Sequence, residues 1–354
     1  MSIQRIILFP FAFCYGIIMF FRNFLFNIGV IPSKRFNIPV ISVGNLSCGG
    51  TGKTPHVEYL IRLLSQNYFI ATLSRGYGRK SDGFLIGSKR SNVKYLGDEP
   101  LQYAKKFDKI KVAVDEKRKR GIGLLMEKYP GLDLILLDDA FQHRHVKPGL
   151  NILLTDSDHL YSEDYLLPVG KLRESKREAK RADVIIVTKT PKIFSPITRR
   201  RILEDIHPRR DQVVLFSYVH YGNPVPGYEP IASSFPSHLT NILLISGIAS
   251  DFPFREYLMR MCSELIPMKF PNHHFYTQKD IENINQRFVD LPTKKKVIIT
   301  TEKDMMRLKT PELSTILKNL PLFYIPIEIR FHGEDMKKFD DLILTYVEKN
   351  KRDH

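Results

Sequence analysis

The sequence predicts an α/β fold: a parallel-sheet domain, a second and smaller α/β lobe, and an apolar helix ahead of both. Three observations carry this reading. After residue 36, short and almost wholly apolar β-rich runs alternate with helical patterns, as strands buried on both faces do. A glycine-rich loop follows the first of these runs, and a charge-free stretch from Ile6 to Phe21 precedes them all.

The charge-free stretch, IILFPFAFCYGIIMFF, is followed by Arg22 and then NFLFNIGVI. Its sixteen residues would rise about 24 Å as a helix, short of the roughly 30 Å hydrocarbon core, and Pro10 limits a regular span. No small-x-small cleavage site follows, and bulky Phe13 before Cys14 argues against a lipoprotein signal. Residues 1–30 are therefore expected to form a helix embedded in one leaflet, with Arg5, Arg22, Lys34 and Arg35 near anionic headgroups. A buried core helix is the alternative.

Residues 31–220 hold strands expected at 37–44, 69–74, 109–115, 132–139, 151–156 and 182–189, each ending in polar residues. A polar, Pro-rich stretch at 220–240 then separates a second unit, assigned 221–334. That unit is expected to contain a strand at 241–249, helices near 252–265 and 277–289, and a strand at 295–301. LFYIPIEIRF (322–331) alternates enough to be one strand, pairing with 213–219 as a bridge between the lobes. A basic amphipathic helix near 335–349, within 335–354, ends the chain.

The composition bounds the function. A net charge of +16, from 54 Lys+Arg against 38 Asp+Glu, suits nucleic acid, an anionic membrane or acidic substrates, or is a solvated basic surface. Three cysteines without a C-x-x-C pair exclude a disulfide framework and a cysteine-based zinc site.

VGNLSCGGTGKTPHVEYL (43–60) departs from the phosphate-loop pattern G-x-x-x-x-G-K-[ST] at one place, where Ser47 replaces the first glycine. The strand–loop–helix context is otherwise complete, which makes the domain P-loop NTPase-like. Gly49, Gly50 and Gly52 let the backbone curl so that its N–H groups, with those of Ser47, Cys48 and Thr51, face phosphate oxygens. Lys53 reaches the β- and γ-phosphates, and the Thr54 hydroxyl holds Mg²⁺. Ser47 is tolerated if the chain there turns without positive φ. Asp138 and Asp139 in LILLDDAFQHRH supply carboxylates beyond a strand end, where such sheets bind ligands; alone they would read as turn and cap residues. His143 and His145 lack further zinc ligands at suitable spacing. TKTP (188–191) is similar to the guanine-reading element of GTPases but has Pro191 in place of its aspartate, so ATP is expected.

SVGNLSCGGTGKTP, LSRGYG (73–78), LGDEP (96–100), LDDAFQH (137–143), LLPVGKLRE (166–174), ISGIASDFPF (245–254), FPNHHFY (270–276) and IITTEKDMMRL (298–308) follow in this order. Together they resemble the tetraacyldisaccharide 4'-kinases, the lipid A 4'-kinases of Gram-negative bacteria, over nearly the whole chain. The substituted first glycine is normal in that family.

The resemblance implies transfer of the ATP γ-phosphate to the 4'-hydroxyl of a lipid A disaccharide precursor at the cytoplasmic face of the inner membrane. It matches Asp98 to the catalytic carboxylate and His273 to its partner. It matches Asp138, Asp139 and Glu174 to metal-site carboxylates, and Asn45, Tyr77, Arg118, Gln142 and Arg173 to positions around nucleotide or substrate. Asn272 stands where Asp is common before the histidine, and adjacent His274 competes with His273 for the role. Ala140 stands where Gly is common. Taken without the resemblance, GDEP reads as a turn before a helix with Asp98 as its cap, and His273 as a structural loop histidine. Pairing Asp98 with His273 across lobes would require closure.

Two rivals stand beside this reading. A membrane-associated switch would hydrolyse nucleotide without phosphorylating lipid. A nucleic-acid-stimulated ATPase would leave the apolar N-terminus unexplained, so no nucleic-acid partner is expected. The sequence sets no oligomeric state.

Overall fold

A computed structural model describes residues 3–228, 235–236 and 238–351; residues 229–234 and 237 of the Pro-rich stretch lie outside the described residues. The chain forms two units, one comprising everything up to Val219 together with Ile329 onward, the other His220–Glu328.

Unit 1 begins with helix α1 (Ile3–Asn27), which continues through Pro10. There follow β1 (Val40–Asn45), α2 (Lys53–Leu64), β2 (Ile70–Ser74), β3 (Leu85–Gly87), α3 (Val93–Leu96), α4 (Asp98–Lys106), β4 (Lys111–Val114), α5 (Arg118–Lys128), β5 (Leu134–Asp138) and β6 (Leu150–Asp156). After a 3-10 turn at Lys176–Arg181 come β7 (Val184–Thr188), α6 (Pro196–Ile206) and β8 (Val213–Tyr221). The nine-stranded sheet has the order β14-β8-β7-β6-β1-β5-β2-β4-β3, where β14 is the later strand Ile327–Phe331. β1 is central, with Ile41 in register with Leu136 of β5 and Leu150 of β6, both parallel. All six residues of β1 and all five of β5 are buried, because helices cover both faces of a parallel sheet. The chain winds from β1 toward β3 on one side and toward β8 on the other. This reversal opens a crevice beyond the carboxyl ends of β1 and β5.

Unit 2 contains β9 (Val225–Pro226), β10 (Leu239–Ser246), α7 (Phe252–Leu258), β11 (Cys262–Lys269), α8 (Gln278–Val289), β12 (Lys296–Thr301), α9 (Glu302–Leu308), α10 (Pro311–Leu317) and β13 (Leu322–Ile325), in a sheet of order β11-β10-β12-β13-β9. α8 starts with a capping box, Thr277 accepting from the Asp280 N–H while Asp280 accepts from Thr277.

Two expectations are corrected. The helix expected over 252–265 stops at Leu258, and Cys262–Lys269 is an edge strand pairing only with β10 in its sheet. Half-exposed and carrying Pro267, it lacks the apolar signal of a buried strand. The run 322–331 is two strands: Pro326 interrupts it, so that β13 belongs to the unit 2 sheet and β14 (Ile327–Phe331) lies beside β8 at the edge of the first sheet.

The last helix, α11 (Asp335–Asn350), packs into unit 1. It buries Phe339, Ile343 and Val347 at i, i+4 and i+8 in the core shared with Ile41 and Leu150, each burial contributing about 1.5–3 kcal/mol. The Tyr346 hydroxyl donates to the Val40 carbonyl at 3.3 Å, and the Tyr59 hydroxyl donates to Asp340 at 2.8 Å.

Candidate phosphate-binding site

The loop after β1 explains its own missing glycine. Ser47 forms an isolated antiparallel bridge with Leu172; Cys48 N–H donates to the Lys171 carbonyl at 2.7 Å, and Arg173 N–H donates to the Leu46 carbonyl at 2.8 Å. The chain is laced to a neighbouring segment there, and Ser47 has no positive φ. Glycine is needed later, at Gly49 (φ 119) and at Gly52 (φ 84), the residue before the first turn of α2. At the start of the loop, a Cβ on Gly44 would come within 2.7 Å of the Phe141 Cβ, so the β5 loop lies directly on β1.

Asn45, at the end of β1, organises the loop. Its amide donates to the Thr51 hydroxyl at 2.9 Å, and Lys53 Nζ donates to its oxygen at 3.4 Å. Arg173 bonds the same oxygen and also the Asn45 carbonyl, which accepts from the Gln142 amide at 2.9 Å. Arg173 grips Asp139 through both oxygens, at 3.0 and 3.5 Å, and Lys53 lies 3.6 Å from Asp139. The phosphate-loop lysine, the arginine and the second aspartate thus meet at one place.

The paired aspartates are driven apart electrostatically. Burial, with Glu99 and Asp139 nearby, pushes the Asp138 carboxyl up to about 6. Burial opposes ionisation of Asp139 too, but Lys53 and Arg173 outweigh it and hold its carboxyl below the usual range. Asp138 Oδ2 accepts from the buried Tyr103 hydroxyl at 3.0 Å, and its carbonyl accepts from Arg118 at 3.1 Å. Arg118 is 2% exposed; burial lowers its pKa to about 10, so it stays charged at neutral pH. Burial and the cations Arg118 and Arg75 push His143 down to about 3, so its ring is neutral.

Buried polar atoms without a protein partner include Asp138 Oδ1, Arg118 Nε, Gln142 Oε1 and Arg173 Nε. Such atoms are rare in folded proteins, and their concentration here fits a site whose remaining partners are a ligand's oxygens and a cation. The described residues contain no cluster of three or more His, Cys, Asp and Glu side chains arranged to hold a metal. A phosphate-bound Mg²⁺ does not need one, since it keeps waters and takes one or two carboxylates plus phosphate oxygens. Asp138, Asp139 and the Thr54 hydroxyl suit that donor set.

Glu174 is placed differently. It is fully buried, one oxygen accepting from Arg22 of α1 at 3.2 Å and the other from Arg181. Arg22, expected at the headgroups, is turned inward against Glu174 and the Gln142 carbonyl. The Arg5 side chain lies outside the described residues. Tyr77 is 73% exposed in the loop after β2.

Asp98 begins α4 and is buried; before it, Gly97 (φ 94) packs so close to Gly76 of the LSRGYG loop that a Cβ would lie 3.2 Å from its Cα. In unit 2, His273 has φ 60, and its Nδ1 lies 3.1 Å from the guanidinium of buried Arg307. Accepting there leaves Nε2 as the N–H donor of the neutral ring. His274 has its own partner, Asp280 at 2.9 Å, and stacks on Phe270.

The sequence reading missed two sets of residues. Thr188 of TKTP donates to the Thr51 carbonyl at 3.0 Å and braces the phosphate loop. His56, in the first turn of α2, bridges the Gly52 carbonyl (Nδ1, 2.7 Å) and the Ser217 hydroxyl of β8 (Nε2, 3.0 Å). A histidine three residues after a phosphate-loop lysine is the only signal that pointed to the second.

The chain is similar to known proteins over nearly its whole length. Residues 4–348 match the family model described as tetraacyldisaccharide-1-P 4'-kinase. The chain is 45% identical over 350 residues to the tetraacyldisaccharide 4'-kinase of Flavobacterium johnsoniae, covering 99% of each chain. It is 44% identical over 358 residues to that of Bacteroides thetaiotaomicron, covering 98% of this chain and 94% of the relative. A crystal structure of LpxK from Aquifex aeolicus in complex with ATP superposes with a TM-score of 0.74 at 29% identity, covering 98% of this chain and all of the other.

Proposed function

We infer the function from one premise, that this chain belongs to the tetraacyldisaccharide-1-P 4'-kinase family: it is a kinase that transfers the γ-phosphoryl group of ATP to the 4'-hydroxyl of a tetraacyldisaccharide 1-phosphate lipid A precursor. The observation that carries this reading is the junction of Lys53, Asp139 and Arg173 at the mouth of a phosphate loop.

Backbone N–H groups within Ser47 to Thr54 and at the start of α2 receive the phosphates, except those of Cys48 and Thr51, which donate to the Lys171 carbonyl at 2.7 Å and the Gly49 carbonyl at 3.1 Å, against the sequence expectation for these two. Lys53, Arg173 and Arg118 supply positive charge that stabilises the negative charge on the transferring group. Thr54, Asp138 and Asp139 would hold Mg²⁺, which when bound neutralises charge on the β- and γ-phosphates. Asn45 and Gln142 keep the loop in register, and Tyr77 stays assigned to the surroundings of nucleotide or substrate, as the family resemblance implies. Glu174, with both oxygens already engaged by arginines, orders the segment that carries Arg173.

In the transfer itself Asp98 accepts the proton of the 4'-hydroxyl while that oxygen forms its bond to the γ-phosphorus. The bond to the β-phosphate oxygen breaks, and ADP leaves. His273 is assigned as the partner of Asp98, a role carried over from the family resemblance.

The enzyme reaches its lipid through α1. The helix spans 25 residues, and Ile7–Asn27 is by length and composition long enough to cross a membrane, so length does not exclude a span as the sixteen-residue run suggested. Its polar stripe speaks for one-sided insertion: Tyr15, Arg22 and Asn23 bond unit 1, while Phe9, Phe13, Ile17, Phe20 and Phe24 form an exposed stripe at helical spacing. A helix fixed to the protein along one side presents the other to a single leaflet, in this reading the cytoplasmic leaflet of the inner membrane.

The test is incubation of the purified full chain with ATP labelled at the γ-position and a membrane lipid extract. One labelled glycolipid is expected. Release of all the label as free phosphate would favour the nucleotide-hydrolysing switch.

A further inference from the structure

Arg22 is the one basic residue of the apolar N-terminal segment between Ile6 and Phe26, and the structure gives it a task other than meeting lipid. Its guanidinium is a fork. NH2 donates to the Gln142 carbonyl at 2.8 Å and NH1 to Glu174 Oε1 at 3.2 Å, while its plane lies 5.3 Å from the Phe26 ring centroid. One side chain of α1 thereby ties together the two loops that flank the phosphate site, one after β5 and one running along the start of the phosphate loop.

Both loops act on the same residue. The Gln142 amide donates to the Asn45 carbonyl at 2.9 Å and Arg173 donates to it at 3.3 Å; Asn45 in turn holds Thr51 and Lys53. Two further links follow the same path. The Tyr15 hydroxyl of α1 donates to the Arg173 carbonyl at 2.8 Å, and Arg181, which shares Glu174, donates to the Phe141 carbonyl at 2.8 Å. The path from α1 to Lys53 through Glu174, Arg173 and Asn45 uses charge-assisted hydrogen bonds, while the path through Gln142 includes a neutral, partly buried bond to Asn45.

We propose that Arg22 is a positioning residue for phosphoryl transfer: it joins the lipid-facing helix to the loops bearing Gln142 and Arg173, so that the phosphate loop holds its working geometry only while α1 is seated. The proposal rests on the kinase reading above. It gives the anchor a second role, because the exposed stripe of α1 is on the helix that carries Arg22. Insertion into a leaflet holds α1 against unit 1, and loss of the leaflet loosens both loops together.

The experiment compares the full chain with Arg22→Gln and Arg22→Lys in lipid nanodiscs of one composition. It reads the Kd of a fluorescent ATP analogue, kcat, the KM for each substrate, the share of protein in the membrane fraction and the melting temperature. Arg22→Gln should lower kcat by about 10- to 100-fold, as small displacements of a reacting group do. The nucleotide Kd should rise severalfold, with the lipid KM and the membrane fraction unchanged. Arg22→Lys should recover part of kcat, because an ammonium keeps the Glu174 ion pair but cannot hold two loops at fixed angles. If Arg22→Gln fails to fold, Arg22→Lys carries the test: lowered kcat at the wild-type melting temperature supports the proposal, and wild-type kcat overturns it. Loss from the membrane fraction with kcat and Kd intact would make Arg22 an anchoring residue only and would equally overturn it. A wild-type chain that bound no ATP analogue would instead overturn the kinase reading.

Discussion

His56 should make the stability of unit 1 depend on pH between about 4 and 6.5. It is 2% exposed, and burial lowers its pKa to about 4 despite the bond to the Gly52 carbonyl. The neutral ring carries its proton on Nδ1, donates to Gly52 and accepts from the Ser217 hydroxyl on Nε2. A second proton would put a charge in an apolar site beside the Phe331 ring. In the unfolded chain the same ring titrates near 6.5. The folded value is the lower one, so the unfolded chain binds more protons between the two values, and stability falls as pH falls through that window. A difference of about 2.5 pH units corresponds to about 3 kcal/mol in full and to about 2 kcal/mol at pH 5. The assay is urea unfolding followed by circular dichroism at pH 7.5 and pH 5, on wild type and His56→Asn, whose amide can still donate to Gly52. The variant should be less stable at pH 7.5 but lose about 2 kcal/mol less on acidification. His143, neutral for similar reasons, is present in both chains and cancels. Identical pH dependence in the two proteins would refute the reasoning, because His56 would then be protonated in the fold or exposed.

Lys53→Ala should reduce phosphoryl transfer by about 100-fold or more, measured at saturating ATP, since the transferring group loses a cation. Asp98→Asn should lower kcat about 10²–10⁴-fold with ATP affinity retained, and adding His273→Ala should cost little more if the two act as one unit; additive losses across pH 5–9 would separate their roles. Gly44→Ala should destabilise by about 1–3 kcal/mol, because the new Cβ would meet the Phe141 Cβ at 2.7 Å and its backbone nitrogen at 2.8 Å, and chemical denaturation reads this directly. Deleting residues 6–28 should move protein out of the membrane fraction with the nucleotide-binding lobe still folded. Labelling of the extreme N-terminus from the periplasmic side of the intact chain would instead establish a span.

The parallel sheet was legible because strands such as Val40–Asn45 and Leu134–Asp138, buried on both faces, need unbroken apolar runs. The phosphate loop was legible because Gly49 and Gly52 adopt conformations that other residues avoid. Ser47 misled only against a pattern; its bridge to Leu172 is a tertiary contact that local sequence does not contain. The same limit applies to Glu174 and Arg22. A buried arginine–carboxylate pair 152 residues apart leaves no periodic trace; the family resemblance assigned Glu174 to a metal site, and a basic residue closing an apolar run suggested lipid for Arg22. Cys262–Lys269 escaped because edge strands mix exposed and buried positions. The choice between His273 and His274 gained a physical basis only from their neighbours, Arg307 for the first and Asp280 for the second.

The chain leaves the large sheet along β8 and returns along β14, the strand beside it, and this has a consequence for synthesis. On a ribosome, unit 2 emerges complete while the larger unit still lacks an edge strand and α11. The inserted unit can therefore finish folding first, against the usual N-to-C order of domains. Until α11 has been made, the faces that will bury Phe339, Ile343 and Val347, and the Val40 carbonyl that will accept from Tyr346, stand open at the root of the phosphate-loop strand.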